Sequence, residues 1–143
     1  MIEMELITVG MAPKGDGNVL VLRETHGERL LILGIGFAEA SSIAMAAEEV
    51  PTPRPMTHDL MVNLINRLGG SLIRVVVHDM RDDTFIGQIE VDTENGILEI
   101  DARPSDSIAL AVREHCPIYV SDMVLELAAV TQDMIGDDSE EFE

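Results

Sequence analysis

The chain has no Trp, one Tyr and three Phe among 143 residues. So few rings exclude a nucleic-acid interface built on aromatic stacking, and they leave Ile, Val, Leu, Ala and nine Met to form the core. A single cysteine, Cys116, excludes an intrachain disulfide and any structural zinc site that needs two or more thiolates. The longest apolar run, Leu30 to Ala38, is about half of the roughly 20 residues a membrane helix needs. The start, Met1-Ile2-Glu3-Met4-Glu5, lacks the basic and apolar segments of a signal peptide. Together these absences predict a cytoplasmic protein with no membrane partner.

Basic residues are also scarce. Nine Lys and Arg stand against 27 Asp and Glu, a formal charge of −18, so at long range the molecule repels DNA, RNA and anionic membranes. Any polyanion it handles must be held locally. Six of the acids (Asp133, Asp137, Asp138, Glu140, Glu141 and Glu143) fall in the last thirteen residues, where Met134, Ile135 and Phe142 are the only large apolar side chains. Residues 131–143 therefore read as an acidic, disordered tail that folding does not require. The remainder, 1–130, has the apolar content and the length of one globular domain.

Within that domain the pattern repeats. Met4 to Met11, Val19 to Glu24 and Arg29 to Ile35 read as strands, followed by an Ala- and Met-rich helix over Glu39 to Glu49 that ends before Pro51. Leu72 to His78, Thr84 to Val91 and Ile97 to Asp101 give three more strands, followed by a helix over Ser105 to His115. At a constant offset of 65 residues, Leu33 and Ile35 fall on Leu98 and Ile100, and Ser42-Ile43-Ala44-Met45-Ala46-Ala47 falls on Ser107-Ile108-Ala109-Leu110-Ala111-Val112. The chain thus reads as two β(3)-α repeats, about 3–50 and 70–115. Both repeated helices are apolar around most of their circumference and must be buried on more than one side. Placing them between two sheets gives an internally duplicated, single-domain α+β fold layered β/α/β.

A stiff segment, Pro51-Thr52-Pro53-Arg54-Pro55, joins the repeats and leads into a linking helix over 57–68 closed by Gly69-Gly70. On a helical wheel Leu60, Met61, Val62, Leu64, Ile65 and Leu68 share one arc, with His58 inside it on the first turn. Pro117 to Val120 reads as a short strand, and Ser121 or Asp122 as the cap of a last helix, about 122–130.

Two clusters carry chemistry. Asp101-Ala102-Arg103-Pro104-Ser105-Asp106-Ser107 runs from a strand end into a helix start, where free N–H groups and the positive dipole end attract anions. The same residues also suit plain capping, with Ser105 as cap, Pro104 near the first turn and Asp106 beside the dipole. Arg54, His58 and Asp59 combine a guanidinium for phosphate, an imidazole able to transfer protons and a carboxylate. A hydrogen-bonded core histidine and surface ion pairs would account for them equally. On the strands, Glu99 and Asp101 point to one face, as do Gln88 and Glu90, and such oxygens can hold a hard divalent cation or simply line a solvated face. The four histidines form no close metal-binding pair, and no phosphate-cradling glycine loop exists.

Three blocks, Gly36-Phe37-Ala38-Glu39-Ala40, Arg54-Pro55-Met56-Thr57-His58-Asp59-Leu60 and Asp101-Ala102-Arg103-Pro104-Ser105-Asp106-Ser107-Ile108-Ala109-Leu110, occur in the order seen in the bifunctional nuclease domain family, which residues 3 to 130 resemble. The resemblance implies a duplicated α+β fold and hydrolysis of phosphodiester bonds in both DNA and RNA. Phe37 departs from the family pattern, which more often has Pro there. On this reading Asp101 and Asp106 hold a divalent ion such as Mg or Mn. Arg54, Arg103 and Ser105 bind the substrate phosphate, His58 moves a proton, and Asp59 orients it or adds a ligand. With nine basic residues, nucleic acid is expected to be a weakly held, salt-sensitive substrate. The acidic surface points instead to a non-catalytic regulatory or assembly module that binds a small anion or a partner protein. The exposed position expected for Phe37 and the open edges of a two-sheet domain predict a homo-oligomer, most simply a dimer.

Overall fold

The structure is a computed structural model that describes residues 1–12, 15 and 17–135. The first unit comprises β1 (Ile2–Met11), β2 (Asn18–Glu24), β3 (Leu30–Ile35) and helix α1 (Phe37–Ala47). Helix α2 (Thr57–Arg67) connects it to β4 (Ser71–Arg81), β5 (Thr84–Thr93), β6 (Gly96–Ala102) and helix α3 (Pro104–Glu114). A three-residue strand, β7 (Ile118–Val120), then leads into α4 (Asp122–Ala128) and a final helical turn, α5 (Gln132–Ile135). Ser121 caps α4, its Oγ accepting from the Val124 N–H at 3.2 Å. The sequence reading of a disordered tail falls, beyond Ile135, outside the described residues.

The strands form one seven-stranded sheet in the order β3-β2-β1-β7-β4-β5-β6, where the sequence pattern predicts two sheets. The difference lies in β7. It pairs antiparallel with β1 (Glu3 opposite Tyr119) and parallel with β4 (Val76 opposite Tyr119), joining two antiparallel meanders that would otherwise be separate. The sheet curls about the helices, with α1 packed on β1 and β2, α3 on β4 and β5, and α1 and α3 on each other. Helix α3 is therefore buried without a second sheet, whereas α1 buries only Ala40 and Ile43.

Alternation along the strands sets the core. Leu20 and Leu22, Leu31 and Leu33, Val75 and Val77, and Ile89 and Val91 project to the helix side, where they meet Ile43 and the fully buried Ile108, Ala109 and Leu110. Ala109 and Ala111 keep α3 narrow enough to sit close to its neighbours. The strand turn Asp82-Asp83 has positive φ at both residues (50° and 63°), the geometry of a tight hairpin that matches strand twist. Helix α2 packs on α3 through Met61, Val62 and Ile65, while Leu60, Leu64 and Leu68 of the same apolar arc stay exposed, Leu68 by 83%.

Candidate functional site

The starts of all three long helices meet at one cavity of about 860 Å³. Helix α1 begins after Gly36 and brings Glu39 on its first turn and Ser42 one turn later. Helix α2 begins after Met56, whose N–H is accepted by Asp59 Oδ2 at 2.9 Å, so Asp59 closes the helix start and His58 beside it is turned inward. Helix α3 follows Arg103 directly, with Pro104 in its first position and Asp106 in its first turn. Ser105 therefore lies inside the helix, buried, and makes no cap; the helix start has no side-chain cap at all.

A chain of hydrogen bonds runs through the cavity wall. His58, 7% exposed, has Nε2 at 2.8 Å from Asp106 Oδ1 and Nδ1 at 2.6 Å from Ser42 Oγ. Arg103 grips Asp106 with two nitrogens, Nε to Oδ2 at 2.8 Å and Nη2 to Oδ1 at 3.1 Å, and lies 3.8 Å from Glu39 Oε2. Arg113, largely buried, donates from Nε to Asp59 Oδ1 at 2.8 Å, from Nη1 to the Ala109 carbonyl at 3.0 Å and from Nη2 to Ser42 Oγ at 3.2 Å.

Charge follows from these contacts. Burial pushes the Asp106 carboxyl up, but the hydrogen bonds from Arg103 and then His58 outweigh it and hold the group below the usual aspartate range. Asp59 is likewise held low, first by the Arg113 guanidinium and then by the Met56 N–H. With Asp106 ionised and acceptor-only, the proton between it and His58 belongs to Nε2. Ser42 Oγ accepts from Arg113 and also shares a hydrogen bond with His58 Nδ1. The imidazole is thus held between a carboxylate and a hydroxyl.

Of the residues the sequence singles out, His58, Asp59, Arg103 and Asp106 line this cavity. Arg54, Asp101 and Ser105 do not. Arg54 is exposed in the linker; its carbonyl accepts from the Thr52 hydroxyl, and its guanidinium forms no ion pair among the described residues. Asp101 sits opposite Gln88 on the exposed strand β6, on the face it shares with Glu99. Two residues of the cavity wall, Ser42 and Arg113, do not figure in that sequence reading. A signal for Arg113 was present, since it follows Asp106 by seven residues and so lies on the same face of α3. Ser42 stands in the repeated segment but nothing in its spacing marks it for chemistry.

Residues 20–133 match the bifunctional nuclease domain. The chain belongs to the bifunctional nuclease domain family. An uncharacterized protein of Mycobacterium tuberculosis is 39% identical over 139 residues, covering 97% of this chain and 81% of that protein. A protein of Oryza sativa subsp. indica named bifunctional nuclease 1 is 26% identical over 108 residues, covering 73% of this chain and 33% of that protein. A bifunctional nuclease of Oryza minuta matches to the same extent. Each of the three sequence blocks sends a side chain to the one cavity: Glu39 from the first, His58 and Asp59 from the second, Arg103 and Asp106 from the third.

A divalent ion finds no ready cage in these residues. Both oxygens of Asp106 and both of Asp59 are already taken by nitrogen donors, Asp101 is elsewhere, and no group of three or more His, Cys, Asp or Glu among the described residues is arranged to hold a metal. Of the Asp101–Asp106 pair expected from the sequence to hold a metal, Asp106 lines the cavity and Asp101 does not. Among the described residues no helix is long and apolar enough to cross a membrane.

Proposed function

We propose that the domain is a phosphodiester hydrolase acting on DNA and RNA, with the cavity at the three helix starts as its active site. The observation that carries this reading is the imidazole of His58, fixed between Asp106 and Ser42 at a cavity that two guanidiniums also reach. Arg103, with its side chain 64% exposed, is placed to take a phosphate oxygen, and Arg113 supplies a second positive charge deeper in. Family membership and the rice relatives named bifunctional nuclease support the substrate class. A net charge of −18 keeps binding weak, so cleavage should fall steeply as salt rises.

The expectation of Mg or Mn rests on Asp101 and Asp106 and enters as an experimental arm. Purified protein is incubated with labelled single-stranded DNA, duplex DNA and RNA, with Mg²⁺, with Mn²⁺ and with chelator, beside His58→Ala. Cleavage should drop by about 10²- to 10⁴-fold in the variant. Equal cleavage by both proteins would assign the activity to a contaminant. The same charge that opposes nucleic acid, together with the carboxylates already paired to Arg103 and Arg113, favours the second reading, a non-catalytic module that binds a small anion or partner. Absence of cleavage under every condition, with saturable phosphate binding, would select it.

The reading includes action in the cytoplasm as a homodimer, and descent of the two units from one duplicated segment, supported by their shared order β-β-β-α.

A further inference from the structure

Ser42 stands at the end of the hydrogen-bonded chain and lines the cavity, yet in the reading above it only positions His58. Its surroundings suit a larger role. The hydroxyl oxygen lies 2.6 Å from an imidazole nitrogen within reach of its proton, the opposite ring nitrogen is held by an ionised carboxylate at 2.8 Å, and the hydroxyl oxygen accepts from the Arg113 guanidinium at 3.2 Å. A serine alcohol is a poor nucleophile by itself. It becomes an effective one where a base takes its proton and a cation steadies the developing oxyanion. Three different helices, α1, α2 and α3, supply these groups, so the arrangement is not the by-product of a single turn. The Arg113 guanidinium at the hydroxyl, with the Arg103 guanidinium on the same cavity wall, favours an anionic phosphoryl centre over a neutral acyl carbon.

We propose that Ser42 is the nucleophile of a two-step phosphodiester cleavage, a deepening that rests on the hydrolase reading of the same cavity. In the first step Ser42 Oγ forms a bond to phosphorus and its proton passes to His58 Nδ1. The P–O bond to the leaving nucleoside breaks in line on the far side. That oxygen departs with the bonding electron pair and takes a proton from solvent water. In the second step a water molecule attacks the phosphoserine from the vacated side and releases a proton to solvent, replacing the one consumed before. The Ser42–phosphorus bond breaks, its electron pair returns to Oγ, and His58 Nδ1 gives the proton back. The sum is hydrolysis of one P–O bond by one water. Asp106 stays ionised throughout and acts as a positioning residue for the imidazolium.

Stereochemistry at phosphorus decides the matter with the unaltered protein. A chiral phosphorothioate diester is cleaved in ¹⁸O-water and the configuration of the product is read. Two in-line displacements give retention, whereas direct attack by water gives a single inversion. Inversion would overturn the proposal and leave the hydrolase reading intact. A protein that cleaves no diester removes both readings, so the two failures are distinguishable. As a second measurement, Ser42→Ala should cleave at least about a hundredfold more slowly, and acid quench of the wild-type reaction with an end-labelled oligonucleotide should leave label on the protein at Ser42. A variant as active as wild type would equally overturn the assignment.

Discussion

Asp106 takes three hydrogen bonds on its two oxygens, two from Arg103 and one from His58, and so ties the start of α3 to the start of α2. Asp59 repeats the arrangement one step away, closing its own helix start while holding Arg113 of α3. Both carboxyls titrate lower in the folded protein than in the unfolded chain. Between the folded and the unfolded values the unfolded chain binds more protons, so stability rises with pH there. The stabilisation from these pairs is fully present above the ordinary aspartate value, near 3.8 for both, and is lost as pH falls through the lower folded values. Urea unfolding followed from pH 6 down to pH 2.5 should show this loss beginning below about pH 4. Asp59→Asn and Asp106→Asn should each flatten the slope. An unchanged slope in both variants would place the acid sensitivity elsewhere. Solvent screens both pairs in part, through the exposed side of Asp59 in one and of Arg103 in the other.

At the scale of elements, the site depends on how β6 turns into α3. A Cβ added at Gly87 of β5 would lie 2.9 Å from the Ala102 carbonyl oxygen and 3.2 Å from the Pro104 nitrogen, both backbone atoms that cannot move aside like a flexible side chain. These atoms bracket Arg103. Gly87→Ala should therefore cost about 1–3 kcal/mol in stability and displace Arg103 from Asp106. A thermal midpoint several degrees lower, with activity reduced beyond the loss of folded protein, is the expected result. A variant with unchanged midpoint and activity would show that the strand can shift freely. The edges of the sheet differ as well. Leu30 of β3 is bridged by Val130, with hydrogen bonds of 2.7 and 2.8 Å, whereas the outer edge of β6 has no partner among the described residues, and Ile97, Leu98 and Ile100 are each more than 40% exposed.

For the whole molecule, the proposed dimer gives those apolar side chains a cover. Leu60, Leu64 and Leu68 form a stripe along α2 at four-residue spacing, and Phe37 is 76% exposed at the start of α1. Replacing the three leucines by Ser should leave the fold intact, because Met61, Val62 and Ile65 hold α2 to the core. The variant should dissociate to a monomer. Light scattering that already gives about 15.6 kDa for the unaltered protein at every concentration would remove the dimer. The strand-strand-strand-helix order of each unit and the burial of α3 were legible in the sequence, because alternation and all-round apolarity are local patterns that backbone geometry reads directly, whereas α1 buries only Ala40 and Ile43. The position of His58, Asp59, Arg103 and Asp106 at or beside helix starts was legible too. What required the tertiary structure was every relation between distant segments. The three residues of β7 carry too little pattern to show that they would join two meanders into one sheet. Asp101 is close to Asp106 in sequence and still lies off the cavity, because the strand end turns before the helix begins. Ser42 and Arg113, 71 residues apart, meet only because α1 and α3 pack against each other inside the curl of the sheet.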